Sequence, residues 1–147
     1  MTNKTIKEIS KGQLWSGRVL SGLSILFLTF DGVIKFFLHT LPKEALDDAA
    51  KLGYPLEIMP YIGTTLLICT LLYVIPRTSV LGAILLTGYL GGAVATHVRV
   101  LNPWASHILF PVYLGVFIWL GLYLRMPALR YIIPFMTPTD TANEKSN

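Results

Sequence analysis

One cysteine, Cys69, stands in the whole 147-residue chain. A lone thiol forms no intramolecular disulfide and no Cys-x-x-Cys pair, so a self-contained thiol oxidoreductase, such as a quinone-linked disulfide-forming bundle, is excluded. Cys69 itself reads as a small buried apolar residue. Charge is scarce as well: Asp, Glu, Lys and Arg make up 14% of residues, and none occurs within 58–75, 78–98 or 108–124. Soluble domains build shorter helices with periodic polar positions, so these stretches belong to another class. Histidines number three, with no His-x-x-x-His or Glu-x-x-His spacing, so no metal-ligand geometry is legible and no metal site is assigned. No haem, flavin or iron–sulfur binding pattern is present either. Any redox role would therefore need a partner subunit.

What is abundant is apolar surface: 53% of residues are hydrophobic and the mean hydropathy is +0.59. A helix needs roughly 20 mainly apolar residues to cross about 30 Å of hydrocarbon. The chain offers four such runs, at about 14–38, 58–75, 78–98 and 108–124. The expected fold is an all-α membrane protein, an antiparallel bundle of four transmembrane helices spanning 14–130. It is preceded by a basic segment, 1–13, and followed by a polar tail, 131–147, expected to be disordered. Arg18, Asp31 and Lys35 interrupt the first run. A cleaved signal peptide is the competing reading there; the apolar stretch, however, continues through Phe36, Phe37 and Leu38, and no small-x-small cleavage site leads into a soluble domain.

Lys and Arg placement sets the orientation. Lys4, Lys7, Lys11, Arg18, Arg77, Arg125, Arg130 and Lys145 fall on one side, whereas Lys43, Lys51 and Arg99 on the other are diluted by Glu44, Asp47, Asp48 and Glu57. The positive-inside rule thus places both termini in the cytoplasm. The net charge of +4 reflects this topology and the lipid bilayer as partner, with no nucleic-acid patch. Only Pro76 and Arg77 separate spans two and three, which must be antiparallel neighbours, with Thr78 or Ser79 suited to cap the next helix. In the first outward loop, residues 43–53 have apolar positions at helical spacing and a glycine stop. They predict a short amphipathic surface helix, followed by a turn at Gly53-Tyr54-Pro55.

Polar groups gather toward the outward ends of all four spans. Asp31, Lys35 and His39 lie on the first, Glu57 leads into the second, His97 and Arg99 leave the third, and His107 leads into the fourth. Intramembrane ionisable residues are expensive and are functional-site candidates by default. Asp31 and Lys35 are spaced i to i+4, in the favoured acid-before-base order, either as an ion pair fixing helix packing or as part of a site. Counted from Leu38, Asp31 lies roughly 10 Å deep. Tyr89, Ala93 and His97 share a broad stripe on one helix face, Tyr89 about 12 Å deeper than His97. On that helix Gly88, Gly91 and Gly92 predict close helix approach, either inside the bundle, with Gly17 and Ser21 as partner strip, or at a homodimer seam. Pro111 fits the first turn of the fourth span.

Several segments together resemble one known family: Trp15-Ser16-Gly17-Arg18-Val19-Leu20-Ser21, Asp31-Gly32-Val33-Ile34-Lys35, Leu52-Gly53-Tyr54-Pro55, Tyr73-Val74-Ile75-Pro76-Arg77-Thr78, residues 88–99, and Trp119-Leu120-Gly121-Leu122-Tyr123-Leu124-Arg125. In order and spacing, over about residues 14–130, they resemble the DoxX-like family of small four-helix bacterial membrane proteins. The resemblance implies a multi-pass protein of the bacterial inner membrane. The broader group takes its name from a small subunit of a thiosulfate:quinone oxidoreductase, and other relatives are linked to membrane oxidoreductase complexes or assist assembly of membrane receptors. Two expectations follow. In one, the chain is an accessory subunit binding quinone or a similar amphiphile, with His97, Asp31 and Lys35 handling protons and Tyr89, Arg99, His107 and Glu57 contacting the ligand. In the other, it is a non-enzymatic scaffold or chaperone whose polar cluster serves helix packing.

Overall fold

The computed structural model describes residues 10–129. Five α-helices follow one another: α1 Lys11–Ile34, α2 Lys43–Lys51, α3 Met59–Val74, α4 Ser79–Arg99 and α5 Phe110–Arg125. The polar tail expected at 131–147 lies outside the described residues. Among the described residues four elements are long and apolar enough to cross a membrane, Lys11–Ile34, Leu56–Val74, Ser79–Arg99 and Trp104–Arg125. In lipid every backbone N–H and C=O must be satisfied internally, so an apolar run of this length forms a helix whatever its neighbours.

The element boundaries differ from expectation at three places, each for a local reason. α1 begins earlier because Ser10 and Gln13 form a reciprocal capping box, a polar signal that hydropathy overlooks. It also ends earlier. After Ile34 the backbone tightens to Phe36 N–H→Val33 O and Phe37 N–H→Ile34 O bonds and then a short 3-10 turn at Leu38–Thr40. Asp31 therefore stands in the last turn, about 4.5 Å by helical rise from the helix end instead of roughly 10 Å. The fourth span begins with a wide π-turn, Trp104–Ile108, before α5, where Pro111 occupies the first turn without cost. At the α3–α4 turn Thr78 and Ser79 do not cap α4. Their hydroxyls donate instead to Leu72 O in the last turn of α3 and to Pro76 O in the connecting turn.

The four long helices form a ring in which α1 packs on α3, α3 on α4, α4 on α5 and α5 back on α1. Their up-down course puts the start of α1, the α3–α4 turn and the end of α5 at one end, here the terminal end. The α1–α3 and α4–α5 connections lie at the other, the distal end. Leu28, Leu66, Leu86, Ile118 and Leu122 fill the centre, while large residues such as Leu26 and Tyr61 face outward, as lipid contact permits. Cys69 is buried among the core residues. Toward the terminal end the Tyr73 hydroxyl donates to Ile118 O at 2.9 Å and lies 2.9 Å from Ser21 Oγ. That network joins α1, α3 and α5 where a buried polar group must be paired.

The glycines that bring helices together are not the expected ones. A Cβ on Gly88, Gly91 or Gly92 would meet nothing within 4 Å, so none of the three packs against another helix of this chain. Close approach occurs elsewhere. A Cβ on Gly121 would lie 2.6 Å from Ser21 Oγ, one on Gly17 2.9 Å from Gly121 O, and one on Gly63 2.6 Å from Gly32 O; one on Gly82 would collide with the Tyr73 backbone. Gly17 and Ser21 are thus a packing strip, but their partner is α5 and not α4. Three of the four seams of the ring, α1/α5, α1/α3 and α3/α4, close on glycine; the α4/α5 seam, with Gly91 and Gly115, stays open.

Candidate functional site: a distal cavity

At the distal end the four long helices and the α2–α3 connection border a half-open cavity of about 650 Å³, within the size range of small-molecule sites. Phe27, Leu28, Met59, Ile62, Phe110 and Leu114 make its walls largely apolar. Phe27 and Phe110 meet edge to face with ring centroids 4.8 Å apart. Gly88 and Gly92 line the cavity on the α4 side, where the lack of a Cβ keeps volume open. Their contribution is space, where packing was expected.

Four of the expected site residues, Asp31, Lys35, Tyr89 and His97, line this one cavity. Lys35 Nζ donates to Asp31 Oδ2 at 2.6 Å and to Asp31 O at 3.1 Å. An ammonium has three protons, so one remains for a further acceptor. The pair is neutral in sum, which suits a wall that is largely apolar.

His97 is held by an arrangement the spacing did not disclose. α4 ends in a left-handed turn at Leu101, φ 55°, with Leu101 N–H→Val98 O and Asn102 N–H→His97 O bonds, the pattern of a Schellman cap built without glycine. That turn brings the Asn102 side chain back to His97, its amide nitrogen 2.8 Å from Nδ1. With the amide oriented this way Nδ1 accepts, so the neutral ring carries its proton on Nε2. His97, a lining residue of the cavity, thereby keeps its Nε2–H as a donor of fixed tautomer. The π-turn brings His107 edge-on to His97, with centroids 5.6 Å apart, and its own Nδ1 meets Ser106 Oγ at 2.8 Å.

Three expected ligand contacts lie off the cavity wall. Glu57 is exposed on a short turn at Leu56–Ile58, where the backbone bends before α3 begins. His107 reaches the site only through His97. Arg99 faces the α2–α3 connection: its guanidinium donates to Leu52 O and stacks 5.9 Å from the centroid of the Tyr54 ring. Gly53 between them has φ 76° and no side chain, so the guanidinium can approach its Cα closely. The Tyr54 hydroxyl bonds Thr96 Oγ1 at 3.1 Å; because Thr96 itself donates to Gly92 O, Tyr54 is the donor. Arg99 and Thr96 thus clasp Leu52 and Tyr54, both lining residues, onto the end of α4. His39 is exposed and also stands apart. Among the described residues no group of three His, Cys, Asp or Glu converges as a metal site would require. Phe27, Phe110, Tyr54 and Thr96 complete the site unforeseen, because apolar and hydroxyl residues inside hydrophobic runs carry no distinguishing mark.

The clasp has a measurable consequence. Arg99→Ala is expected to speed tryptic cleavage after Lys51 about tenfold, the loss of one charge-assisted hydrogen bond at a partly exposed site. Arg99→Lys should behave likewise, since an ammonium neither forks nor stacks as a guanidinium does. Cleavage at the wild-type rate in both variants would show that the clasp does not hold the loop.

The model of the DoxX-like family matches residues 19–121, more than half of the chain. The chain belongs to the DoxX-like family. The matched region of this DoxX-like protein runs from α1 to Gly121 of α5 and takes in every polar residue of the cavity wall. No curated protein and no solved structure matches the chain. The four membrane-length helices and the family together make it a multi-pass membrane protein.

Proposed function

We propose that this DoxX-like protein binds a small amphiphile, a quinone or a molecule of similar shape and polarity, in the distal cavity, and serves as an accessory subunit of a membrane oxidoreductase system. The observation that carries the reading is the cavity itself: about 650 Å³ of largely apolar space with an ion pair and a tautomer-fixed histidine on its wall. A quinone head asks for aromatic or aliphatic walls and hydrogen-bond donors at its carbonyl oxygens. Lys35 has a proton left over and His97 offers Nε2–H, so the donor set fits. A quinone supplies the capacity to accept and release electron pairs with protons. The chain's own part is to hold the ring, to donate at a carbonyl oxygen from Lys35 or His97, and to exclude water behind Phe27 and Phe110. Asp31 orients Lys35 through the 2.6 Å contact between its Oδ2 and the Lys35 Nζ. The excess of Lys and Arg beside the termini supports an orientation with the distal end, and the cavity, toward the outer leaflet of a bacterial inner membrane.

Extraction of the protein in mild detergent, followed by mass spectrometry of the co-purifying small molecules, tests the reading. The expected result is a quinone or comparable amphiphile at near-stoichiometric yield, lost from a folded His97→Phe variant. Recovery of bulk phospholipid alone, from the wild type and variant equally, would overturn it in favour of a scaffold whose polar groups serve packing.

A further inference from the structure

The open α4/α5 seam forms a second space of about 630 Å³, bordered by Gly91, Val94, Gly115, Val116 and Trp119. Leu90 and Pro111 border this groove and the distal cavity alike. Both are buried, and Leu90 Cδ1 lies 3.9 Å from where a Gly115 Cβ would stand. The two spaces are therefore neighbours across one shared wall. From Pro111 to Tyr123 the groove follows α5 for about 18 Å at 1.5 Å per residue, running from the distal cavity toward the terminal end.

Its chemistry is that of hydrocarbon. The indole N–H of Trp119 donates to Thr87 Oγ1 at 2.8 Å, and Thr87 donates to Ala83 O at 2.8 Å, so both polar atoms are engaged along the helix walls. Gly91 and Gly115 add no bulk. A slot of this kind, long, apolar and leading away from a cavity with hydrogen-bonding groups, has the shape of an amphiphile's second half.

We propose that the α4/α5 groove holds the hydrocarbon tail of the amphiphile whose head lies in the distal cavity, the tail rounding the lipid-facing side of the wall that Leu90 and Pro111 form between the two spaces. The proposal rests on the reading of the cavity given above. It adds the ligand class: a head with a single chain long enough to run along α5. Bilayer lipid gives the groove no hydrophobic advantage over the membrane, so the tail is selected by packing and by its attachment to the head.

Two photoreactive probes test it on the purified full-length protein in lipid nanodiscs: a methoxy-substituted benzoquinone bearing a decyl chain, with a diazirine either on the head or at the end of the chain. The expected result is labelling of the cavity residues by the head probe and of residues 91–94 and 115–119 by the tail probe. Both labels should be competed away by an excess of the same benzoquinone without a chain. Gly91→Leu, whose added atoms enter open space, should abolish tail labelling of the groove while head labelling persists. Should that variant fail to fold, Val116→Trp narrows the groove from α5 instead.

Head labelling that persists with tail labelling elsewhere, uncompeted or unaltered in the narrowed variant, overturns the tail site and leaves the cavity reading standing. Absence of competed head labelling overturns the cavity reading itself, and this proposal with it. Cross-linking of groove residues between two copies of the chain, with tail labelling absent, assigns the groove to a homodimer and likewise overturns the proposal.

Discussion

Gly82→Ala is expected to destabilise the protein more than any other single methyl addition in the bundle. The new Cβ would stand 2.6 Å from Tyr73 Cα and 2.7 Å from the Leu72 carbonyl carbon. Backbone atoms cannot rotate aside as a side-chain tip can, so the α3 and α4 backbones must separate. That movement disturbs the position of Tyr73, whose hydroxyl joins Ile118 O and Ser21. Overpacking a tight core costs about 1–3 kcal/mol and sometimes more; the coupling to a buried hydrogen-bond network places this case at the upper end. Thermal unfolding in detergent should show it as a clear drop in midpoint, with a reduced yield of monodisperse protein. Gly88→Ala and Gly92→Ala provide the control. Each added methyl enters open space, and alanine is the better helix former by about 1 kcal/mol, so both should unfold at or above the wild-type temperature. Equal damage from Gly82→Ala and Gly88→Ala would refute this account of which glycines pack.

Asp31→Asn is expected to be the most damaging polar substitution at the distal end. It leaves the Lys35 ammonium, whose side chain is 16% exposed, without its carboxylate in a largely apolar wall. Breaking a fully buried pair costs 3–5 kcal/mol. Here the Asp31 side chain is 35% exposed, so the loss should be smaller, about 1–3 kcal/mol after allowance for solvent screening. Adding Lys35→Met removes the stranded charge, so the double variant should recover most of the lost stability. Amphiphile binding should not recover with it, because Lys35, one of the two donors on the cavity wall, has gone. A double-mutant cycle read by thermal unfolding separates the terms. Should Asp31→Asn and the double variant both unfold like the wild type, the ion pair would hold nothing together; should ligand occupancy return with stability, the pair would serve packing alone.

The sequence made Asp31 and Lys35 legible as a pair because i to i+4 geometry is internal to one helix and needs no knowledge of its neighbours. His97 was legible as a candidate because ionisable groups are rare in membrane-length runs. Arg99 stands on the same rarity, yet it turns to Leu52 O and Tyr54, and only the path of the α2–α3 connection over the end of α4 reveals that. The Asn102 contact that fixes His97 depends on a left-handed turn at a leucine, where no glycine signals it. Gly88, Gly91 and Gly92 carried the spacing of a packing motif and line open space, because spacing identifies a smooth strip without saying what lies opposite.

By itself the sequence determined the membrane class, the four spans, their antiparallel order, the surface helix and turn of the first loop, and the family. The class, the spans and their order follow from length and hydropathy, since a bilayer forces any long apolar run to satisfy its backbone within a helix. The surface helix and turn follow from local spacing and a glycine stop, and the family from the resemblance of the segments quoted above. The tertiary structure decided how each helix is rotated about its own axis: which glycines meet a neighbour, which charges face the cavity, and which seam stays open. In water the apolar stripe of a helix marks its inward face. Here the outward faces meet lipid and are as apolar as the core, so hydropathy leaves that rotation unmarked and packing alone sets it.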